Sequence, residues 1–184
     1  MPLEPKLLTD KTRLEEIYNL RVNVWENSEN NQVINRHLFP NGWYDDLDDK
    51  AYHWIITNEQ DEIIASARLN IFNQMEEFPF YESIKDLNIP KEAPFGFYSR
   101  LVVHPKYRGL KLSLKLVASR MLFCESIKVR WLQAHVSSDM MKRILNRYDF
   151  DVIGQMAVNY HTSTEPHVVN IFIKDYQYNK EEEE

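Results

Sequence analysis

The chain has 184 residues, 43% of them hydrophobic, enough for one domain with a substantial core and too few for two. Its 22 basic and 28 acidic residues leave a formal charge of -6, which repels a phosphate backbone and argues against nonspecific nucleic-acid binding. The single cysteine, Cys124, closes no intramolecular disulfide, Cys/His spacing suggests no metal site, and no run approaches the ~20 apolar residues that cross a bilayer.

In chain order, the amino terminus lacks the charged-then-apolar organisation of a secretory signal, so a cytoplasmic chain off the membrane is expected. Thr12 followed by Glu15 makes a capping box, and Leu14, Ile17, Tyr18, Val24 and Trp25 then recur at helical spacing. Asn27 to Asp49, polar and carrying Pro40 and Gly42, reads as a long connection. Ala51 to Thr57 and Glu62 to Phe72, rich in β-branched and aromatic residues around the turn chemistry of Asn58 to Asp61, specify an antiparallel hairpin.

Phe78 to Pro94, with three prolines, holds at most a short helix, and a strand resumes over Gly96 to Val103. Leu110, Leu114, Val117, Ala118, Met121 and Cys124 line one face of the next helix and Leu112, Leu116 and Phe123 another, so it is expected to be largely buried. Trp131 to Val136 is a further strand, Ser138 to Tyr148 a helix, and Val152 to Val158 with His167 to Lys174 a closing strand pair. This order implies one domain over 1–178 of α/β (α+β) type: a mixed, mostly antiparallel sheet, a parallel strand–helix–strand unit over 96–136, and helices on both faces. The glutamates of 179–184 form a like-charge tail expected to be disordered.

The segment from Ser99 to Ser113 concentrates the chemistry. An apolar strand passes through a basic turn, His104-Pro-Lys-Tyr-Arg108-Gly109, straight into the central helix. The first amides of a helix have no intrahelical partner and sit at the positive end of its dipole, so such a turn is an anion site, here strengthened by Arg108 and Lys111.

These residues resemble the acyl-CoA-binding motif of the GCN5-related N-acetyltransferases (GNAT), an Arg or Gln, two residues, a Gly, one residue, then Gly or Ala. Arg108 matches the first position, Lys111 stands where the first glycine is usual and Ser113 where Gly or Ala is usual. The element order is similar to that fold from about Lys6 to Tyr176. The resemblance implies acetyl-CoA or another acyl-CoA as cofactor. Arg108, Gly109, Leu110, Lys111, Leu112 and Ser113 would hold its pyrophosphate. Leu101, Val102 and Val103 would offer backbone groups to the pantetheine arm, and Ser138 occupies the place of a cofactor-contacting Asn. The Lys111 side chain must then turn away from the amides or fold onto a phosphate.

Acyl transfer to an amine needs a neutral nucleophile and a protonated leaving thiolate. Family members often carry a Glu on the central strand, but Phe95 to Leu101 offers no carboxylate, and Tyr98 and Ser99 could only orient a water. His135, at the end of the next parallel strand, is the titratable candidate, with a histidine satisfied by neighbouring backbone as the alternative. The family's acid position falls on Leu145; Tyr148, roughly 60° round the helix, is the nearest tyrosine, with a core role as its alternative.

Ser99-Arg100 ahead of the turn also resembles the acyl-homoserine-lactone and N-acyl amino acid synthases of the same fold, whose acyl groups arrive on acyl carrier protein. Arg100 would meet a substrate carboxylate or an acid of the protein itself. In the Phe39 to Asp49 loop, Trp43 and Tyr44 among aspartates suit a cationic amine, or else anchor an acidic loop to the core; no glycine sits where an EF-hand loop needs one. The expected activity is direct attack of a small-molecule amine on a bound acyl-CoA. The alternatives are a carrier-protein-dependent synthase, marked by a wide apolar acyl tunnel and a basic patch at Lys106, Arg108, Lys111 and Lys115, and a non-catalytic acyl-CoA sensor. A homodimer is a further candidate assembly.

Overall fold

The β-branched and aromatic runs become strands and the apolar-periodic runs helices, seen in a computed structural model that describes residues 2–27, 37, 39, 42–158 and 167–176. The tail at 179–184, and residues 28–36, 38, 40 and 41 of the long connection, lie outside the described residues. The elements are β1 (Lys6–Leu7), α1 (Leu14–Glu26), β2 (Tyr52–Thr57), β3 (Ile63–Phe72), α2 (Tyr81–Ile84), β4 (Phe95–Val103), α3 (Leu112–Ser126), β5 (Trp131–Val136), α4 (Asp139–Asn146), β6 (Asp151–Val158) and β7 (His167–Asp175).

Three boundaries differ from expectation for local reasons. Asp10, not Thr12, caps the first helical turn: its carboxylate accepts from the Thr12 amide at 3.0 Å, and a 3₁₀ turn at Lys11–Arg13 precedes α1. The central helix starts at Leu112 rather than Leu110 because Gly109 (φ 85°) and Lys111 (φ 58°) both take left-handed backbone. The helix before β6 stops at Asn146, short of Tyr148, and Asp149 follows at φ 57°.

Among the described residues the strands form a seven-stranded sheet in the order β1-β2-β3-β4-β5-β7-β6, with β4 and β5 parallel and every other neighbouring pair antiparallel. Alternation along the strands sends side chains to two cores. On one face Ile17 and Leu20 of α1 pack on Ile55, Ile63 and Val102, and farther along Phe95 stacks on Trp131 with ring centroids 4.3 Å apart. On the other face Leu116, Val117 and Met121 of α3 and Ile144 and Leu145 of α4 pack on Tyr98, Leu132 and Ala134.

The feature that positions the site is where β4 and β5 part. Their pairing runs from Phe95↔Trp131 to Tyr98↔Ala134 and stops. Immediately beyond, Arg100 adopts φ 52° and the β3–β4 register shifts between Ser66 and Arg68, a bulge that bends β4 away from its parallel neighbour. The rest of β4 keeps β3 on one side, where Val102 pairs with Ser66, while β5 continues against β7.

Candidate active site

Beyond Val103 the chain makes a 3₁₀ turn at Pro105–Tyr107, whose capping His104 accepts from the Lys106 amide at 3.2 Å. Gly109 faces open space, so it is needed there for its backbone angle rather than for clearance. Left-handed Lys111 then presents the first turn of α3. The amides of Leu112, Ser113 and Leu114 have no intrahelical acceptor, and the helix ladder begins with Lys115 N–H donating to the Lys111 carbonyl at 3.2 Å. Lys106, Arg108, Leu110 and Lys111 are exposed around them, whereas Lys115 is held by the Glu4 carboxylate at 2.6 Å and the Leu3 carbonyl at 2.8 Å. Free amides, a helix dipole and three exposed cations without an ion-pair partner among the described residues fit a diphosphate.

Where β4 leaves β5 a cavity of about 710 Å³ runs through the sheet. Leu101, Ala134, Ser138, Met141 and Leu145 line it on the side of α3 and α4, and Trp43, Tyr44, Phe80, Phe97, Ser99 and His135 on the side of α1. The candidates Tyr98, Arg100 and Val102 also reach it. Ser138, exposed and free of any side-chain capping bond, sits at the mouth as the N-cap of α4. Tyr148 is not among the lining residues; its hydroxyl donates to the Leu114 carbonyl at 3.5 Å, against the first turn of α3.

His135 stands in an aromatic enclosure, with ring centroids 5.9 Å from Phe78, 5.0 Å from Phe80 and 5.0 Å from Phe97. Burial without a countercharge lowers its pKa to about 4, so the ring is neutral at physiological pH. Its Nε2 meets the Gln133 side-chain amide at 2.7 Å. Tyr98 lies on the opposite side of the sheet, its ring under the Arg120 guanidinium at 4.0 Å and its buried hydroxyl against the Cys124 thiol. Ser99 Oγ accepts from Arg68 Nε at 2.9 Å.

Two aspartates of the acceptor-side loop, Asp45 and Asp48, are held by arginines. Asp48 takes both terminal nitrogens of Arg21 at 2.9 Å each and also Arg68 Nη1 at 2.9 Å. Asp45 takes Arg68 Nη1 and Arg100 Nη2, both at 2.5 Å, and Arg100 lies over the Trp43 ring at 4.0 Å. Burial pushes both carboxyls up, but Arg100 and Arg68 at Asp45, and Arg21 at Asp48, outweigh it and hold them below the usual carboxylate range. Arg21, Arg68 and Arg100 face the carboxylates of Asp45 and Asp48, and exposed Asp46, which makes no ion pair among the described residues, lines the same cavity and balances the third guanidinium. Trp43 is an anchor, 2% exposed and edge-on to Trp25, while Tyr44 is 43% exposed at the rim.

Sequence reasoning passed over Arg21, Arg68 and Arg120. Each is an ion inside an otherwise apolar run, which signals a buried partner or a buried vacancy for one. Among the described residues no group of three His, Cys, Asp or Glu side chains could hold a metal ion, and no helix is long and apolar enough to cross a membrane.

Residues 14–146 match the family model described as Acetyltransferase (GNAT) family, and no curated protein sequence matches the chain. Solved structures of the same fold include NAA60 of Arabidopsis thaliana in complex with acetyl-CoA, 14% identical with TM-score 0.67, covering 95% of this chain and 98% of that one. Arylalkylamine N-acetyltransferase 2 of Aedes aegypti is 11% identical with TM-score 0.67 over 95% of this chain and 99% of that one. FeeM, an N-acyl amino acid synthase from uncultured soil microbes, is 9% identical with TM-score 0.66 over 95% of this chain and 90% of that one.

Proposed function

The chain belongs to the acetyltransferase (GNAT) family, an N-acetyltransferase-like enzyme with acyl-CoA as cosubstrate, and on that premise we propose that it acylates a small-molecule amine by direct attack at the point where β4 parts from β5. That parting, above the free amides of α3, carries the reading. The amides of Leu112 to Leu114 with Arg108 and Lys111 hold the pyrophosphate. Leu101 and Val103 offer backbone groups, and Ser138 a hydroxyl, to the arm. Coenzyme A brings the reactive thioester; the protein brings orientation, which by itself removes much of the barrier.

On the acceptor side His135 is an uncharged hydrogen-bonding group, so it does not repel an incoming ammonium; with a pKa of about 4 it orients the amine or a water by hydrogen bonding, and the proton leaves to solvent. Tyr148, near the first turn of α3 and outside the cavity lining, is placed better to position the cofactor-binding turn than to protonate a thiolate. Tyr98 is buried under Arg120 on the far side of the sheet, which favours a part in the thioester pocket. We place the reaction in the cytoplasm, in keeping with the lone, buried Cys124.

Two observations favour a second reading, a synthase that takes a longer acyl group from carrier protein and passes it to an amino-acid-type acceptor. The cavity is far larger than a two-carbon acyl group fills, and Lys106, Arg108 and Lys111 remain exposed around its coenzyme end. Free-thiol release across an amine panel decides. Release from acetyl-CoA supports the first reading, and release only from an acyl carrier protein thioester the second. Coenzyme binding with no release above the solvent background would leave a sensor.

A further inference from the structure

Arg120 is 1% exposed on α3 and, among the described residues, faces no carboxylate. Nε donates to the Leu116 carbonyl at 3.1 Å and Nη1 to the Arg68 carbonyl at 2.9 Å; Nη2 has no acceptor. The Arg68 carbonyl lies at the register shift of β3, so a donor there is structurally sensible. Two neutral carbonyls do not require a full charge, however, and burying one without a counter-ion is costly. Burial lowers the guanidinium only to about 10, so the charge persists at neutral pH.

The group lies on the cavity wall in the half bounded by Ala134, Met141 and Leu145, which offer it no side-chain acceptor. The Tyr98 hydroxyl beside it is a second buried donor, faced by the Cys124 thiol, a weak acceptor. Arg120 comes eight residues after Leu112, about 12 Å down the helix axis from the amides assigned to the pyrophosphate. A thioester anchored at that end therefore presents its acyl group, not its phosphates, to this corner.

Resting on the thioester reading above, we propose that Arg120 and Tyr98 select acyl groups carrying a hydrogen-bond-accepting oxygen at their far end, with a carboxylate as the best match. A carboxylate neutralises the buried cation and takes charge-assisted bonds from Nη2 while leaving an oxygen for the tyrosine hydroxyl. A keto oxygen meets the donors without the charge, and an alkyl end meets neither.

Calorimetry of the whole chain with unreactive coenzyme A thioethers of equal chain length tests this without any turnover. The probes are carboxypropyl, oxopentyl and isohexyl coenzyme A, with coenzyme A itself as reference. The expected order of affinity is carboxypropyl, then oxopentyl, then isohexyl, with at least about tenfold between first and last, the scale of one hydrogen bond to a charged group. Isohexyl binding as tightly as carboxypropyl while coenzyme A binds overturns this proposal alone; failure of coenzyme A to bind overturns the thioester reading and this one with it. R120M should remove the order. Because that variant also strands the Arg68 carbonyl, R120K, which keeps a cation, should still prefer carboxypropyl over isohexyl; loss of the preference in R120K as well as in R120M would assign Arg120 to folding only.

Discussion

Asp48, 2% exposed, accepts from Arg21 and Arg68 and also receives the Asp45 amide at 2.9 Å, while its carbonyl meets His53 Nε2 at 3.1 Å. Removing its carboxylate leaves two buried guanidiniums with one fewer counter-ion, so D48A should cost about 3–5 kcal/mol in chemical denaturation. A cost below about 1 kcal/mol, the scale of a surface pair, would contradict the buried network. His135 gives a pH signature. Its folded pKa, about 4, lies below the roughly 6.5 of an unfolded histidine, so the unfolded chain binds a proton that the folded chain refuses. Its contribution to stability is therefore full above about pH 6.5 and falls away as the pH drops to about 4. H135Q should flatten the stability curve across that window, and an unchanged slope would place the titration elsewhere.

At the scale of elements, α3 carries both ends of the proposed donor site, and its start is held in a strained form. A non-glycine residue in left-handed backbone costs roughly 1–2 kcal/mol, and Lys111 bears that at φ 58° where the resembling motif has glycine. K111G should therefore stabilise the fold by about 1 kcal/mol, read as a shift in denaturation midpoint at unchanged slope, without removing the amides of Leu112 to Leu114. Destabilisation would mean that the lysine chain packs usefully against the turn. The same element shows what was legible locally. The basic turn, its glycine and the buried helix after it were readable because each depends on residues a few positions apart. The start at Leu112 was not, since Leu110 continues the apolar period although it is 51% exposed. Periodicity does not report a backbone angle at the residue between.

Over the whole molecule, the strand and helix order from α1 to β7, the antiparallel hairpin and the β4–α3–β5 parallel unit followed from the chain read as text. Those features are written in period-2 and period-3.6 patterns and in turn chemistry, which neighbouring residues encode among themselves. Three things were settled only by tertiary structure. Asp45 and Asp48 of the loop belong to arginines rather than to open solvent, and these partners stand 27 positions apart for Arg21 and Asp48 and 55 apart for Arg100 and Asp45. Tyr98 and His135 lie on opposite sides of the sheet, so they serve different halves of one cavity. Arg120 is an ion without a counter-ion among the described residues, a property of everything that surrounds it. Each of these depends on segments far apart in the chain meeting in the fold, and the bend of β4 at Arg100 opens the gap between the parallel strands where they meet the cavity. Local pattern fixes what each segment becomes; the energy of burying a charge depends on which segments meet.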